Sequence, residues 1–256
     1  MAFTSLVFGL GSTWLFLLLI KVLKEYLQQT KGVKVKHVMF FLLFIFKTSF
    51  LWASPDKPLP VVIVDKHNFQ VCYNFHCNMT TIVEVDQKAW DEIDLLRNDY
   101  GLSATHMEEL QLIRKAVAVL EAEVGRSLGI FDLGRNPKAD GAGFQWDCID
   151  ETNNSRVYVA LLEKYGYLKH WEVGNAEHKG FFIGHWVVSV RHKKSGEKWM
   201  VDSWYLDMGR LPYIQEYKVW KKQSLRRPNF DCQLNPEQYS RELCKRGTYL
   251  NPTLLR

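Results

Sequence analysis

The amino-acid sequence predicts an α+β fold in which a helix bearing Cys148 packs on an antiparallel sheet, preceded by N-terminal membrane segments. Three observations carry this expectation. Residues 106–124 and 149–165 place apolar side chains at three- and four-residue steps, the period of an amphipathic helix. Residues 181–191 (FFIGHWVVSVR) and 199–204 (WMVDSW) flank Lys193-Lys194-Ser195-Gly196, the pattern of a hairpin. Ahead of them, residues 6–20 (LVFGLGSTWLFLLLI) and 38–53 are apolar stretches unlike the rest of the chain.

The 256 residues suffice for one ordinary core plus extensions. The net charge of +5 is confined to residues 1–53, where Lys21, Lys24, Lys31, Lys34, Lys36 and Lys47 face only Glu25; residues 54–256 carry 27 basic and 27 acidic groups. Nucleic-acid binding requires excess positive charge in the folded domain, so that class is disfavoured. No pattern recurs at a solenoid or propeller period. With Lys21-Val22-Leu23 the first apolar stretch reaches about 18 residues, the lower limit for a spanning helix. The lysine-rich loop 21–37 belongs on the cytoplasmic side by the positive-inside rule, which puts Ser54 onward across the membrane. A cleaved export signal is the alternative: KGVKVKH followed by VMFFLLFIF has the required basic and apolar regions. Either places residues 54–256 in the periplasm or another extracytoplasmic space. Residues 1–53 are therefore the anchor or signal. Residues 54–60, with Pro55, Pro58 and Pro60, form a stiff linker. Residues 61–220 form the folded domain and residues 221–256 a basic extension.

Within the domain, Val61–Asp65 and Thr80–Val85 are expected as strands flanking a Cys72–Cys77 loop, and Gln87–Asn98 as a helix. Thr105-His106-Met107-Glu108 is a capping-box signature. Met107, Leu110, Ile113, Val117, Leu120 and Val124 then form a buried stripe, with Gly125 as the expected stop. A loop over 133–143 leads into Phe144-Gln145-Trp146-Asp147-Cys148, and Val157, Leu161, Leu162 and Tyr165 mark the next helix, ended by Gly166.

Five cysteines in an oxidising compartment leave one thiol over. Cys72 with Cys77 and Cys232 with Cys244 are the local pairs expected to close, and Cys148 stands alone. A metal site using Cys72, His76 and Cys77 is the weaker reading. Cys148 falls at a helix start, where unpaired amides and the helix dipole favour a thiolate. His185 is the candidate base and Asp202 the candidate group that orients its ring. If residues 193–196 are a four-residue loop, Asp202 lies opposite Val187 and His185 lies two residues along on the same face. The Cys148 amide, with either the Gln145 amide or the Trp146 indole, would hold an oxyanion. Taken singly, each of these residues has an ordinary structural reading: an inert buried thiol, a satisfied strand histidine, a strand-end carboxylate.

Asp147-Cys148-Ile149-Asp150 resembles the motif of bacterial transglutaminase-like cysteine peptidases. His185-Trp186-Val187-Val188 and Trp199-Met200-Val201-Asp202 resemble that superfamily's His and Asp strands. The longer string from Asp147 to Asn154, with Cys72 to Cys77 and Val201 to Trp204, is similar to exported proteobacterial proteins over roughly residues 61–220. The resemblance implies a papain-like core, a Cys-His-Asp triad and acyl transfer on peptide or glutamine amides. It also implies a candidate calcium site, here Asp147, Asp150 and Glu151, which complementation of the helix N-terminus explains equally well. Two features depart from the family: Trp146 stands where glycine is usual, and Asn153 and Asn154 replace small apolar residues.

The expected function is thus an extracytoplasmic cysteine hydrolase or acyl transferase with a protein or peptide substrate, cell-wall peptides included. A catalytically retired scaffold that binds an envelope protein or peptide is the alternative.

Overall fold

The computed structural model describes Lys21 and residues 58–100, 104–134, 146–180 and 184–224. The chain divides into two compact units, Met1–Lys57 and Pro58–Arg256, and the fold below is that of the second. The apolar segments of residues 6–53, Gln145, Cys232 and Cys244 lie outside the described residues. Among the described residues no helix is long and apolar enough to cross a membrane.

The architecture is mixed α+β with two antiparallel sheets. Strands β1 (Asn68–Tyr73) and β2 (Met79–Glu84) form a ribbon. Helices α1 (Gln87–Tyr100), α2 (His106–Leu128) and α3 (Cys148–Lys164) follow. Strands β3 (Trp171–Lys179), β4 (His185–His192), β5 (Lys198–Asp202) and β6 (Tyr213–Glu216) then pair in chain order as a four-stranded meander, and the short helix α4 (Tyr217–Lys222) closes it. One core joins the ribbon, the helices and one sheet face: Phe69, Trp90, Ile113, Leu120, Tyr158, Leu161, Val188, Val190, Val201 and Ile214.

Local chemistry explains most boundaries. Thr105 and Glu108 form the expected reciprocal cap of α2, the Glu108 amide donating to Thr105 Oγ1 at 3.2 Å and the Thr105 amide to Glu108 Oε2 at 2.7 Å. Gly125, however, does not end this helix. A Cβ there would stand 2.0 Å from Met208 Sδ, so the residue is small to admit a neighbour. The stop is Gly129, in the left-handed conformation at φ 65°. The first strand is also displaced from Val61–Asp65 to Asn68–Tyr73. Asp65 Oδ1 accepts the amides of His67 and Asn68, folding the earlier segment back so that only Ile63 bridges to Phe69. Residues 171–179, β3, and residues 213–222, β6 and α4, add regular structure where the sequence shows no clean period.

The hairpin has the expected form. The His192 amide donates to the Glu197 carbonyl at 2.8 Å, leaving residues 193–196 as a four-residue turn. Val188 pairs with Val201 and Val190 with Trp199. Val188, Val190 and Val201 point into the main core, whereas Val187 and Met200 pack with Trp220 on the other face.

Cys72 and Cys77 form a disulfide with their Cα atoms 4.8 Å apart. Replacing both with serine frees a short loop. The expected loss is about 2 kcal/mol of unfolding free energy, read as a lower denaturant midpoint without reductant.

Candidate active site

Helix α3 starts on a tightly satisfied polar cap. Asp147 Oδ1 accepts the amides of Ile149 at 2.9 Å and Asp150 at 3.0 Å, and Asp150 Oδ2 accepts the Asp147 amide at 3.1 Å. The disulfide loop docks on these same carboxylates. The amides of Phe75 and Cys77 donate to Asp150 at 2.9 and 2.7 Å, and that of His76 to Asp147 at 3.0 Å. Asn74, Phe75, His76 and Cys77 all have φ between 53° and 70°, a left-handed run that side chains disfavour. The run turns successive amides toward one place, a concave anion cradle that the two aspartates fill.

The next turns are polar yet buried. Asn154 pairs with the Cys72 backbone through both ends of its amide, accepting from N and donating to O at 2.8 Å each. Asn153 Oδ1 accepts the Leu59 amide at 2.8 Å. Each asparagine thus takes the place of a strand neighbour, which is why small apolar residues do not stand here.

His185 and Asp202 meet as their register requires: Nε2 lies 2.8 Å from Asp202 Oδ2, with both side chains buried. The imidazole is walled by Trp204, Tyr205 and Trp220, at ring-centroid distances of 4.8, 5.3 and 6.3 Å. Nδ1 of His185 is buried and has no hydrogen-bond partner. By alternation this pair belongs to the Val187–Met200 face, opposite the one on which α3 packs. Cys148 approaches the end of β4 instead, with the Trp186 amide donating toward its sulfur. Sequence and structure agree that Cys148 is a free thiol, half-buried.

The electrostatics of that thiol differ from a thiolate poised at a helix start. Burial pushes it up to about 12, and the carboxylates of Asp147 and Asp202 add to the rise, outweighing the Trp186 amide. The resting group is a neutral thiol. Alkylation at about pH 6, expected of an activated thiolate, is not expected of this one.

Two other expectations change. Trp146 is fully buried in the main core, its amide donating to Asp132 Oδ1 at 3.0 Å, and its indole Nε1 is enclosed without a partner. It therefore presents no donor to a bound substrate. Asp147, Asp150 and Glu151 do not converge as calcium ligands. The first two hold backbone amides, and Glu151 turns inward to Ser203. Among the described residues the one grouping of metal-ligating atoms is Cys72, Cys77 and Asp150, whose sulfurs are bonded to each other.

Some residues around the site escape sequence reasoning. Lys179, cross-strand partner of His185, is buried with Nζ donating to the Trp220 carbonyl at 3.0 Å and lying 4.3 Å from that indole. Burial lowers it to about 8, offset in part by Asp202. Beneath α3, Glu121, Asp132 and Glu151 form a buried acidic group. Ser203 Oγ donates to Glu151 Oε2 at 2.6 Å and the Gly209 amide to Glu121 Oε2 at 2.8 Å. Glu121 is a charge inside the Val117-Leu120-Val124 stripe, and that misfit is the sequence signal for it.

Comparison with protein-family models, with curated proteins and with solved structures finds no match for this chain.

Burial raises Glu121 and Asp150 to about 7 and Asp132 to about 8, with neighbouring carboxylates adding to it. For an acid whose folded value lies above its unfolded one, the folded state binds the extra proton between the two. Stability is therefore greatest below about pH 4 to 5 for these groups and falls as pH rises to about 8. The unfolding temperature should be several degrees higher at about pH 5 than at about pH 8.5. A flat or rising profile would contradict this assignment.

Proposed function

We propose that the domain is a papain-like, transglutaminase-like cysteine acyl-transfer enzyme acting outside the cytoplasm on amide bonds of a protein or peptide. The observation that carries this reading is the buried His185–Asp202 pair, whose other ring nitrogen is unpartnered, at the end of β4 where the Trp186 amide faces the sulfur of Cys148, the one free thiol among the described residues. A carboxylate fixes the imidazole through Nε2, so Nδ1 remains to take a proton. Because the thiol is neutral at rest, the reaction follows general-base logic rather than a preformed ion pair. As a substrate carbonyl arrives, His185 removes the Cys148 proton while sulfur bonds to the carbonyl carbon. The Cys148 and Trp186 amides, which both face the sulfur, are the donors this reading assigns to the developing oxyanion. The imidazolium then protonates the departing amine, and water or an acceptor amine releases the acyl group from the thioester. Hydrolase and transferase use the same residues. The Cys72–Cys77 disulfide supports an oxidising compartment, in keeping with an anchor or signal in residues 6–53.

A second reading, a retired scaffold that binds a partner, draws on two observations: the raised thiol and the absence of a hydrogen bond from His185 Nδ1 to sulfur. Labelling with an electrophilic substrate-mimic probe separates the two. The enzyme reading expects labelling at Cys148, abolished in Cys148→Ala and reduced roughly a thousandfold in His185→Ala, with Asp202→Asn also strongly impaired. Equal labelling of wild type and His185→Ala would leave only the scaffold.

A further inference from the structure

Glu121 on α2 and Glu151 on α3 are both buried and interact with each other. One oxygen of each is satisfied: Glu151 Oε2 by Ser203 and Glu121 Oε2 by the Gly209 amide. The other two, Glu121 Oε1 and Glu151 Oε1, are enclosed and have no donor. The two carboxyls are nonetheless in hydrogen-bonding contact with each other. Two carboxylate anions cannot bond in this way, because each offers only lone pairs; one proton between them resolves both orphans at once.

We propose that Glu121 and Glu151 share a proton at neutral pH and that this acid pair is the positioning device that sets Asp202 relative to Cys148. The inference rests on the functional reading above. Its geometry is short and direct. Glu151 is in the first turn of the helix that Cys148 begins, its amide donating to the Asp147 carbonyl at 3.0 Å. Its carboxyl grips Ser203, the residue after Asp202. Glu121 backs it from α2 and is itself tied to the Gly209 loop. Helix α2, the thiol-bearing helix and the residue after β5 are therefore linked through the Glu151 carboxyl, by the shared proton on one side and the Ser203 hydroxyl on the other. The other groups facing the pair are Asp132, which also bonds Glu151, Asp150 and the buried Tyr158 hydroxyl; they add negative or neutral character and help retain the proton. Burial raises both glutamates; Glu121 adds to the rise at Glu151 and Asp132 to that at Glu121, while the bond with Glu151 holds Glu121 down. Glu121→Gln replaces the shared hydrogen with an amide donor, whereas Glu121→Leu removes it.

The test uses infrared spectroscopy on the full chain at about pH 7, where a protonated carboxylic acid shows a C=O band distinct from carboxylate and amide bands. Wild type should show that band, and Glu121→Gln should lose the part of it that Asp132 and Asp150 do not supply, read in the wild-type-minus-variant difference spectrum; a difference spectrum with no acid band also overturns the shared proton. Probe labelling of Cys148 should stay within about threefold of wild type in Glu121→Gln and fall about tenfold or more in Glu121→Leu and Ser203→Ala. A wild-type spectrum without the acid band overturns the shared proton, and it requires no variant to fold. Equal labelling rates in wild type and Ser203→Ala overturn the positioning role. If wild-type Cys148 takes no probe at all, the functional reading fails and the positioning role falls with it, while the acid band still decides the shared proton.

Discussion

The four-residue turn at 193–196 is the constraint on which the site depends. Side chains alternate along a strand, so the number of turn residues decides which face of β5 meets which face of β4. With four, Val188 opposes Val201, and His185 and Asp202 share a face with a bond of 2.8 Å between them. One residue more would send Asp202 to the core face and leave a buried imidazole with no carboxylate. The aromatic enclosure follows from the same register, because Trp204 and Tyr205 continue directly from β5, and Trp220 descends on Val187 and Met200 from the helix after β6.

The helix that begins with Cys148 obeys a different rule. Its first two turns are buried and almost wholly polar, which ordinarily opposes burial, and Asp150, Asn153 and Asn154 are matched to backbone from elsewhere. Asp147 and Asp150 fill a cradle of left-handed amides that the Cys72–Cys77 disulfide closes, while Asn153 and Asn154 bond to the segment leading into β1 and to β1 itself. The charged pattern that suggests a cation site on paper is thus spent on amides. The disulfide loop, the ribbon and the start of α3 form one interlocked unit, so the loop belongs to the architecture around Cys148.

Burial governs the chemistry as well. A sulfur at a helix start gains from amides and dipole, but enclosure and two nearby carboxylates outweigh that gain, and the group rests as a thiol. The same low-dielectric interior keeps acids neutral beneath the helix and lowers the lysine behind the histidine. The thiol of this site is thus uncharged in the resting state.

Much of this is legible from residue order. Local signals have local causes: the Thr105–Glu108 cap, the apolar stripes of two helices, the hairpin and its parity, and the Cys72–Cys77 pairing all arise from neighbours within a few positions. Asp65 and Gly125 mislead because their roles are set by contacts, an Asx turn in one case and Met208 in the other. The irregular strands β3 and β6 owe their form to partners supplied by β4 and β5. What residue order could not disclose is the protonation of the thiol, the use of Asp147 and Asp150 by a distant loop, and the meeting of Glu121 with Glu151. Those depend on which groups become neighbours once water is removed, and exclusion of water is a property of the assembled interior rather than of any stretch of chain.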